Sequence, residues 1–320
     1  MNARKVLAIT APGQGAQAPG FLSSWLEVPG VADRLAAWSE IVDRDLIRYG
    51  TTADADEIRD TAVAQPLLVA AGLAAAGALF GLDGPEGPGA NRDLLVAGHS
   101  VGELTAGAIA GAVSADDALR LIAVRGRAMA EASAAQPTGM TAVLGGDEAT
   151  VLAAIEAHGL TPANVNGAGQ IVAAGTMDQL AAFAAGPPAG ARLRPLSVAG
   201  AFHTRHMEPA VEALRAAAAT VTARDPRLTL LSDRDGAAVT SGRDWLDRIV
   251  AQVAAPVRWD ACMRAMADAG VTALVELPPA GTLTGLAKRG LRGAATLALK
   301  TPDDLEAARK LLAEHAPGAD

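Results

Sequence analysis

The chain has 320 residues, a formal net charge of −8, 50% hydrophobic but only 3% aromatic residues, and one cysteine, Cys262. With Lys and Arg scattered as singles and pairs there is no basic stripe, which argues against a nucleic-acid partner, and a lone cysteine excludes an intrachain disulfide and fits a reducing compartment. The length suits about two domains, or one large domain carrying an insertion, and a core made of Ala, Val and Leu favours helices lying close on a sheet.

Residues Met1 to Val6 enter a strand-like run without a signal-peptide core, so a cytoplasmic location is expected. The first predicted strand, Val6–Thr10, runs into a Gly-rich loop, Ala11-Pro12-Gly13-Gln14-Gly15-Ala16-Gln17. Helical patterning follows over Val31–Ile47 and Gln65–Phe80. The stretch Ala62–Leu82 is long enough to span a bilayer, but its Gln65, Pro66 and many Ala and Gly residues read better as a buried helix packed against a sheet, with no membrane involved. A Gly/Pro run, Gly81–Gly89, reads as a surface loop.

A short strand, Leu94–Ala97, then meets Gly98-His99-Ser100-Val101-Gly102, followed by helices Leu104–Gly111 and Ala115–Ser133. After Gln136-Pro137-Thr138-Gly139 the rhythm changes. Strand Met140–Leu144, helix Glu148–His158, strands Pro162–Asn166 and Gln170–Ala174, helix Met177–Ala185 and strand Arg192–Ser197 give the order βαββαβ, the ferredoxin-like pattern. From Gly200 longer α/β alternation resumes, with strands Leu228–Ser232 and Ala273–Leu277 and helices Trp245–Val253, Val257–Ala269 and Leu305–His315; the tail beyond is expected to fray. The expected fold is α/β: an α/β-hydrolase-like large domain (1–134 and 200–320) into which a ferredoxin-like small domain (135–199) is inserted.

Gly98-His99-Ser100-Val101-Gly102 is a G-x-S-x-G pattern with a strand before it and a helix after it, the context of a nucleophile elbow that exposes Ser100 as a covalent nucleophile. The same five letters also arise by chance in Gly- and Ser-rich loops. A serine needs a base. His99 is the elbow neighbour, with its ring directed away from Ser100, and His158 and His315 lie near helix ends without chemical company. His203 and His206 remain, directly after a predicted strand, though either could also be a helix-capping or surface histidine. Arg125 stands in an apolar stretch, Leu121-Ile122-Ala123-Val124-Arg125-Gly126, an odd place for a solvated charge and a good one for binding a carboxylate in two parallel hydrogen bonds. Cys262 has apolar company and reads as a buried, inert thiol.

Taken together these motifs resemble the malonyl-CoA:acyl carrier protein transacylases and the related polyketide synthase acyltransferase domains. The resemblance runs through Pro12-Gly13-Gln14-Gly15-Ala16-Gln17, Gln65-Pro66, Gly98 to Glu103, Arg125-Gly126-Arg127, Asn164 to Gln170, Ala201-Phe202-His203 and Leu283 to Arg289. It implies that Ser100 and His203 are nucleophile and base. It also implies that the N–H groups of Gln14 and Val101 form the oxyanion hole, and that Arg125, Phe202, Asn164, Asn166 and Gln252 line or support the substrate site. The implied partners are malonyl-CoA and acyl carrier protein, with no metal or cofactor, in a monomer that supplies extender units for fatty acid or polyketide synthesis by a ping-pong route. Two departures stand out: Glu276-Leu277-Pro278-Pro279-Ala280-Gly281 replaces a Gly-Pro-Gly loop, and Gly200 replaces a histidine common in modular polyketide acyltransferases. The competing reading is a serine esterase or thioesterase, which shares the elbow but calls for a late Asp or Glu partner to the histidine and no carboxylate clamp.

Overall fold

The computed structural model describes residues 5–81 and 93–316. The elements are β1 (Val6–Ala11), α1 (Val31–Val42), α2 (Leu46–Thr51), α3 (Thr61–Phe80), β2 (Leu94–Gly98), α4 (Gly102–Ile109), α5 (Ala115–Ala134), β3 (Thr138–Gly145), α6 (Glu148–Ala157), β4 (Thr161–Gly167), β5 (Gln170–Thr176), α7 (Met177–Ala185) and β6 (Ala191–Pro195). They continue as α8 (Glu208–Ala218), β7 (Thr229–Leu231), β8 (Ala238–Val239), α9 (Gly242–Gln252), α10 (Trp259–Asp268), β9 (Val271–Glu276), α11 (Thr282–Gly290), β10 (Ala295–Ala298) and α12 (Leu305–His315).

The large sheet has the order β10-β9-β1-β2-β7-β8. Its first five strands are mutually parallel, and only β8 turns back against β7. Because successive side chains leave a strand on opposite faces, Leu7 and Ile9 of β1 with Leu94 and Val96 of β2 enter the larger core with α3 and α5, whereas Val6 and Ala8 with Leu95 and Ala97 enter a second core with α10 and α11. A sheet buried on both faces explains why these strands read as continuous apolar runs. Small residues bring the helices close: a Cβ on Gly72 would come within 2.8 Å of the Thr105 side chain, and one on Gly126 within 3.1 Å of the Thr61 carbonyl. That approach of α5 to α3 places Arg125 beside Gln65. Helix α3 is long and apolar enough to cross a membrane, yet 89% of its apolar window is buried inside the protein, as the core-helix reading requires.

The segment between α5 and α8 forms a separate antiparallel sheet, β4-β5-β3-β6. One face, with Val143, Val165 and Ile171, packs on α6 and α7 through Val151, Ile155, Leu180 and Phe183. The other, with Met140, Ala142, Val172 and Ala174, joins the large core. A single bridge, Asn164 to Val257, ties edge strand β4 to the segment before α10. The chain is thus a large α/β unit carrying a small ferredoxin-like one.

Several elements differ from the sequence expectation. The helix expected over Val31–Ile47 is two, because Asp43 turns left-handed at φ 53° and Asp45 caps α2 by accepting the Arg48 N–H. Helices α8 and α11 and strand β10 were not anticipated: α8 opens on Glu208-Pro209 and is rich in alanine, and α11 has the short apolar run Leu283 to Ala287 ending in Lys288 and Arg289. Ala316, placed in the fraying tail by the sequence, is buried. The Gly81–Gly89 loop, from residue 82 onward, and residues 317–320 lie outside the described residues.

Candidate active site

The C-terminal ends of β1, β2 and β9 lie side by side, with Ala11 opposite Gly98 and Thr10 opposite Glu276. This is the edge of a parallel sheet where α/β proteins place ligands. Ser100 leaves β2 with φ 53°, a left-handed conformation that a non-glycine residue holds at a cost of about 1–3 kcal/mol. Its glycines are dictated by crowding. A Cβ at Gly98 would lie 2.0 Å from the Gly102 carbonyl carbon, and one at Gly102 would lie 2.2 Å from the Ala11 carbonyl oxygen. The turn is therefore sharp, and Ser100 stands at the entrance of α4.

His203 Nε2 lies 2.7 Å from Ser100 Oγ, and its Nδ1 lies 2.8 Å from the main-chain oxygen of Gln252. A carbonyl can only accept, so Nδ1 carries the proton and Nε2 is free to take one from the serine hydroxyl. His203, like Ser100, has positive φ, at 61°. Burial, and next to it the Arg125 charge, depress the imidazole pKa to about 3, so the ring is neutral at physiological pH. His206 is three residues further on, with its amide on Thr204 Oγ1. The structure brings His203, not His206, to the serine.

Arg125 is 1% exposed. Nη1 donates to Gln65 Oε1 at 2.6 Å, and Nη2 to Gln252 Oε1 at 2.8 Å and to Ser100 Oγ at 3.2 Å. Burial lowers its pKa to about 10, which leaves it fully charged near neutrality. A cation and an imidazole thus converge on one hydroxyl. The Gln252 side chain, expected at the substrate, instead lies below the serine, between Arg125, Glu103, Asp233 and the Ser100 carbonyl. It holds the site rather than lining its cavity.

The cavity above, about 420 Å³, is lined by Gln14, Ser100, Val101, Asn164, Asn166, Phe202 and His203 among others, with Leu196 and Leu286 at its sides. Gln14 follows Gly13, where a Cβ would meet His99 Nδ1 at 2.8 Å, so the Gly-rich loop rests on the elbow. His99 is directed away from Ser100: its Nε2 is 2.9 Å from Asn166 Oδ1 on the small sheet, and its ring leans on Trp259. Of the remaining histidines, His158 Nδ1 lies 2.8 Å from the Ala154 carbonyl and His315 Nδ1 lies 2.7 Å from Thr272 Oγ1, so both serve the fold. Cys262 is buried, its Sγ 3.4 Å from the Ser232 carbonyl, with its pKa raised by burial. Sequence reasoning missed Asp233 and assigned no role to Glu103, the last residue of the elbow motif. Asp233 follows a predicted strand, a usual place for functional residues, but nothing in the sequence pairs it with the elbow 133 residues away.

Residues 11–311 match the acyl transferase domain family. The malonyl CoA-acyl carrier protein transacylase of Mycobacterium tuberculosis is 55% identical over 301 residues, covering 94% of this chain and 98% of that protein. The chain belongs to the malonyl-CoA:acyl carrier protein transacylase family. The Escherichia coli member is 34% identical over 311 residues, 95% of this chain and 99% of its own. The crystal structure of the Mycobacterium tuberculosis MCAT superposes with a TM-score of 0.90 at 54% identity, covering 95% of this chain and 99% of that one. A malonyl-transacylase solved in complex with its type II polyketide synthase acyl carrier protein superposes with a TM-score of 0.86 at 28% identity over 95% and 99% of the two chains. Membership disposes of the esterase alternative.

Proposed function

We propose that this acyltransferase moves the malonyl group from malonyl-CoA to the phosphopantetheine thiol of acyl carrier protein through a malonyl ester on Ser100. The observation that carries this reading is the convergence of His203 Nε2 and Arg125 Nη2 on Ser100 Oγ, at 2.7 and 3.2 Å.

In the first half-reaction Ser100 Oγ attacks the thioester carbonyl while its proton passes to His203 Nε2. The tetrahedral oxyanion rests on the N–H groups of Val101, at the entrance of α4, and of Gln14, in the loop above it. Collapse breaks the carbon–sulfur bond, and the departing CoA sulfur takes the proton back from the imidazolium. In the second half the carrier thiol gives its proton to Nε2 and attacks the serine ester, and Ser100 Oγ leaves with that proton. Arg125, held by Gln65 and Gln252, pairs with the free malonyl carboxylate. This also helps the base: the Arg125 charge depresses the imidazole, and a carboxylate that meets that charge restores basicity as the right acyl group arrives. Asn164 and Asn166 border the route of the pantetheine arm, and Phe202 fills the space beside the malonyl α-carbon. The chemistry calls for no metal or cofactor, because a thioester is already activated. A reduced, buried Cys262 suits the cytoplasm, where a monomer would serve either fatty acid or polyketide synthesis.

Intact-mass measurement tests the reading. Malonyl-CoA should add one malonyl group to the protein, and acyl carrier protein should remove it and gain the same mass. An adduct that water releases but the carrier does not accept would refute it.

A further inference from the structure

Beneath Ser100 lies a group of buried polar side chains that the acyl-transfer steps do not use. Glu103, in the first turn of α4, is 1% exposed and Asp233, just after β7, 0%. Asp233 Oδ2 accepts the Ser100 N–H at 2.8 Å, and Glu103 Oε1 accepts the Asp233 N–H at 2.7 Å. Gln252 Nε2 faces Glu103 Oε2 at 2.6 Å, both Asp233 oxygens at 3.0 and 3.1 Å, and the Ser100 carbonyl at 3.2 Å. The amide cannot be turned round, because its oxygen already accepts from Arg125. An amide nitrogen has two protons, too few for two carboxylates and a carbonyl. A proton on one carboxyl removes the clash of lone pairs and supplies the missing donor.

We propose that Glu103 and Asp233 act as one positioning unit under the nucleophile, sharing a single proton and a single negative charge, with Asp233 the charged member that holds the Ser100 amide and Glu103 the neutral one. The inference deepens the acyl-transfer reading and rests on it. Two further observations support it. Ser100 occupies a left-handed conformation that its surroundings must over-determine, and a charge-assisted bond to its own N–H does so more strongly than a neutral one. The buried guanidinium of Arg125 also needs one negative charge, not two. Burial raises both carboxyls: Glu103, raised further by the Asp233 charge, goes well above its usual range, whereas Asp233 rises only to about 6, because the Ser100 amide, Gln252, Glu103 and Arg125 favour its charged form. The ionisable groups around Asp233 are Glu103 from α4, Arg125 from α5 and Cys262 from α10, with Asp235 on its own loop. His203 lies on the far side of the Ser100 hydroxyl and titrates near 3. As pH falls through about 6, Asp233 takes up a proton and loosens its hold on the serine amide while the imidazole is still neutral.

The test is the single-turnover rate of Ser100 malonylation by malonyl-CoA, read by quenched intact-mass measurement between about pH 5 and 9, in the wild type, Asp233→Asn and Glu103→Gln, both isosteric. The wild type should lose rate below about pH 6. Asp233→Asn should be slowed about ten-fold above pH 7 and lose the acid limb, and Glu103→Gln, which keeps a neutral donor beside Asp233, should retain that limb. An Asp233→Asn enzyme with the wild-type limb, or a Glu103→Gln enzyme without one, overturns the inference. A wild type that never carries malonyl would instead overturn the acyl-transfer reading beneath it.

Discussion

Replacing Arg125 by alanine tests the substrate assignment most directly. The guanidinium is fixed by Gln65 and Gln252 and presents Nη2 toward the serine hydroxyl, in a pocket where Arg125 is 1% exposed. Without it, a malonyl carboxylate on Ser100 would be buried and unpaired, which costs about 2–5 kcal/mol, or roughly 30- to 5,000-fold in kcat/KM. The same truncation strips the donor from two glutamine oxygens, at about 1–3 kcal/mol each. That second loss falls on every substrate alike, so it lowers absolute activity and stability without changing selectivity. The assay is therefore the ratio of malonyl-CoA to acetyl-CoA kcat/KM in wild type and mutant. The ratio should collapse by at least the lower figure, and acetyl transfer should suffer little more than the stability loss explains. Arg125→Lys should fall between, since an ammonium cannot form two parallel bonds to a carboxylate. An equal loss for both substrates would refute the argument and leave Arg125 a structural tie between α3, α5 and α9.

Ser100→Ala should abolish the malonyl adduct in intact-mass spectra, and His203→Ala should slow its formation by roughly 10³-fold or more, while His206→Ala should leave it within a few-fold; the reverse ranking of the two histidines would reassign the base. Phe202 is buried at the cavity wall, so Phe202→Ser should raise methylmalonyl relative to malonyl turnover by about ten-fold, the worth of one methyl in an apolar pocket; an unchanged ratio with lower stability would make it a core residue only. The buried carboxylate of Glu276 accepts the amides of Gly281, Leu283 and Thr284 and the Thr284 hydroxyl. Glu276→Gln would turn an NH₂ toward those donors and should destabilise the fold by about 2–3 kcal/mol, read by urea unfolding.

What the sequence revealed and what it hid divide along physical lines. The elbow was legible because its chemistry is local: crowding at Gly98 and Gly102 demands glycine within five residues. The small sheet was legible because β3 to β6 alternate in a short, regular order. The residues alone narrow the base to two histidines and the resemblance at Ala201-Phe202-His203 selects His203, but only the fold brings it across 103 residues to Ser100. Gln252 was found as a residue near the site, and its carbonyl does meet His203, but its polarity said nothing of which way its side chain faced. The roles of Asp233 and Glu103 were missed for a stronger reason: two buried acids make sense only once Arg125 and Gln252 are seen between them. Glu276 was noticed as a departure from a glycine loop, yet its role as the acceptor at the head of α11 depends on a strand end and a helix start meeting in space.

The main-chain carbonyl of Gln252 behind His203 bears on how the ester survives between its two half-reactions. A carboxylate in that position would strengthen the imidazole and let it draw a proton from water as well as from a thiol. Burial and the Arg125 charge keep the ring weak, and a neutral carbonyl offsets them less than a full negative charge would. A thiol, with a pKa of about 8.5, yields its proton to such a ring far more readily than bulk water, at about 15.7. The acidity demanded of the incoming nucleophile then favours the carrier thiol over solvent. With a peptide oxygen rather than an acid behind it, the imidazole is left to favour the more acidic of the nucleophiles that reach the ester.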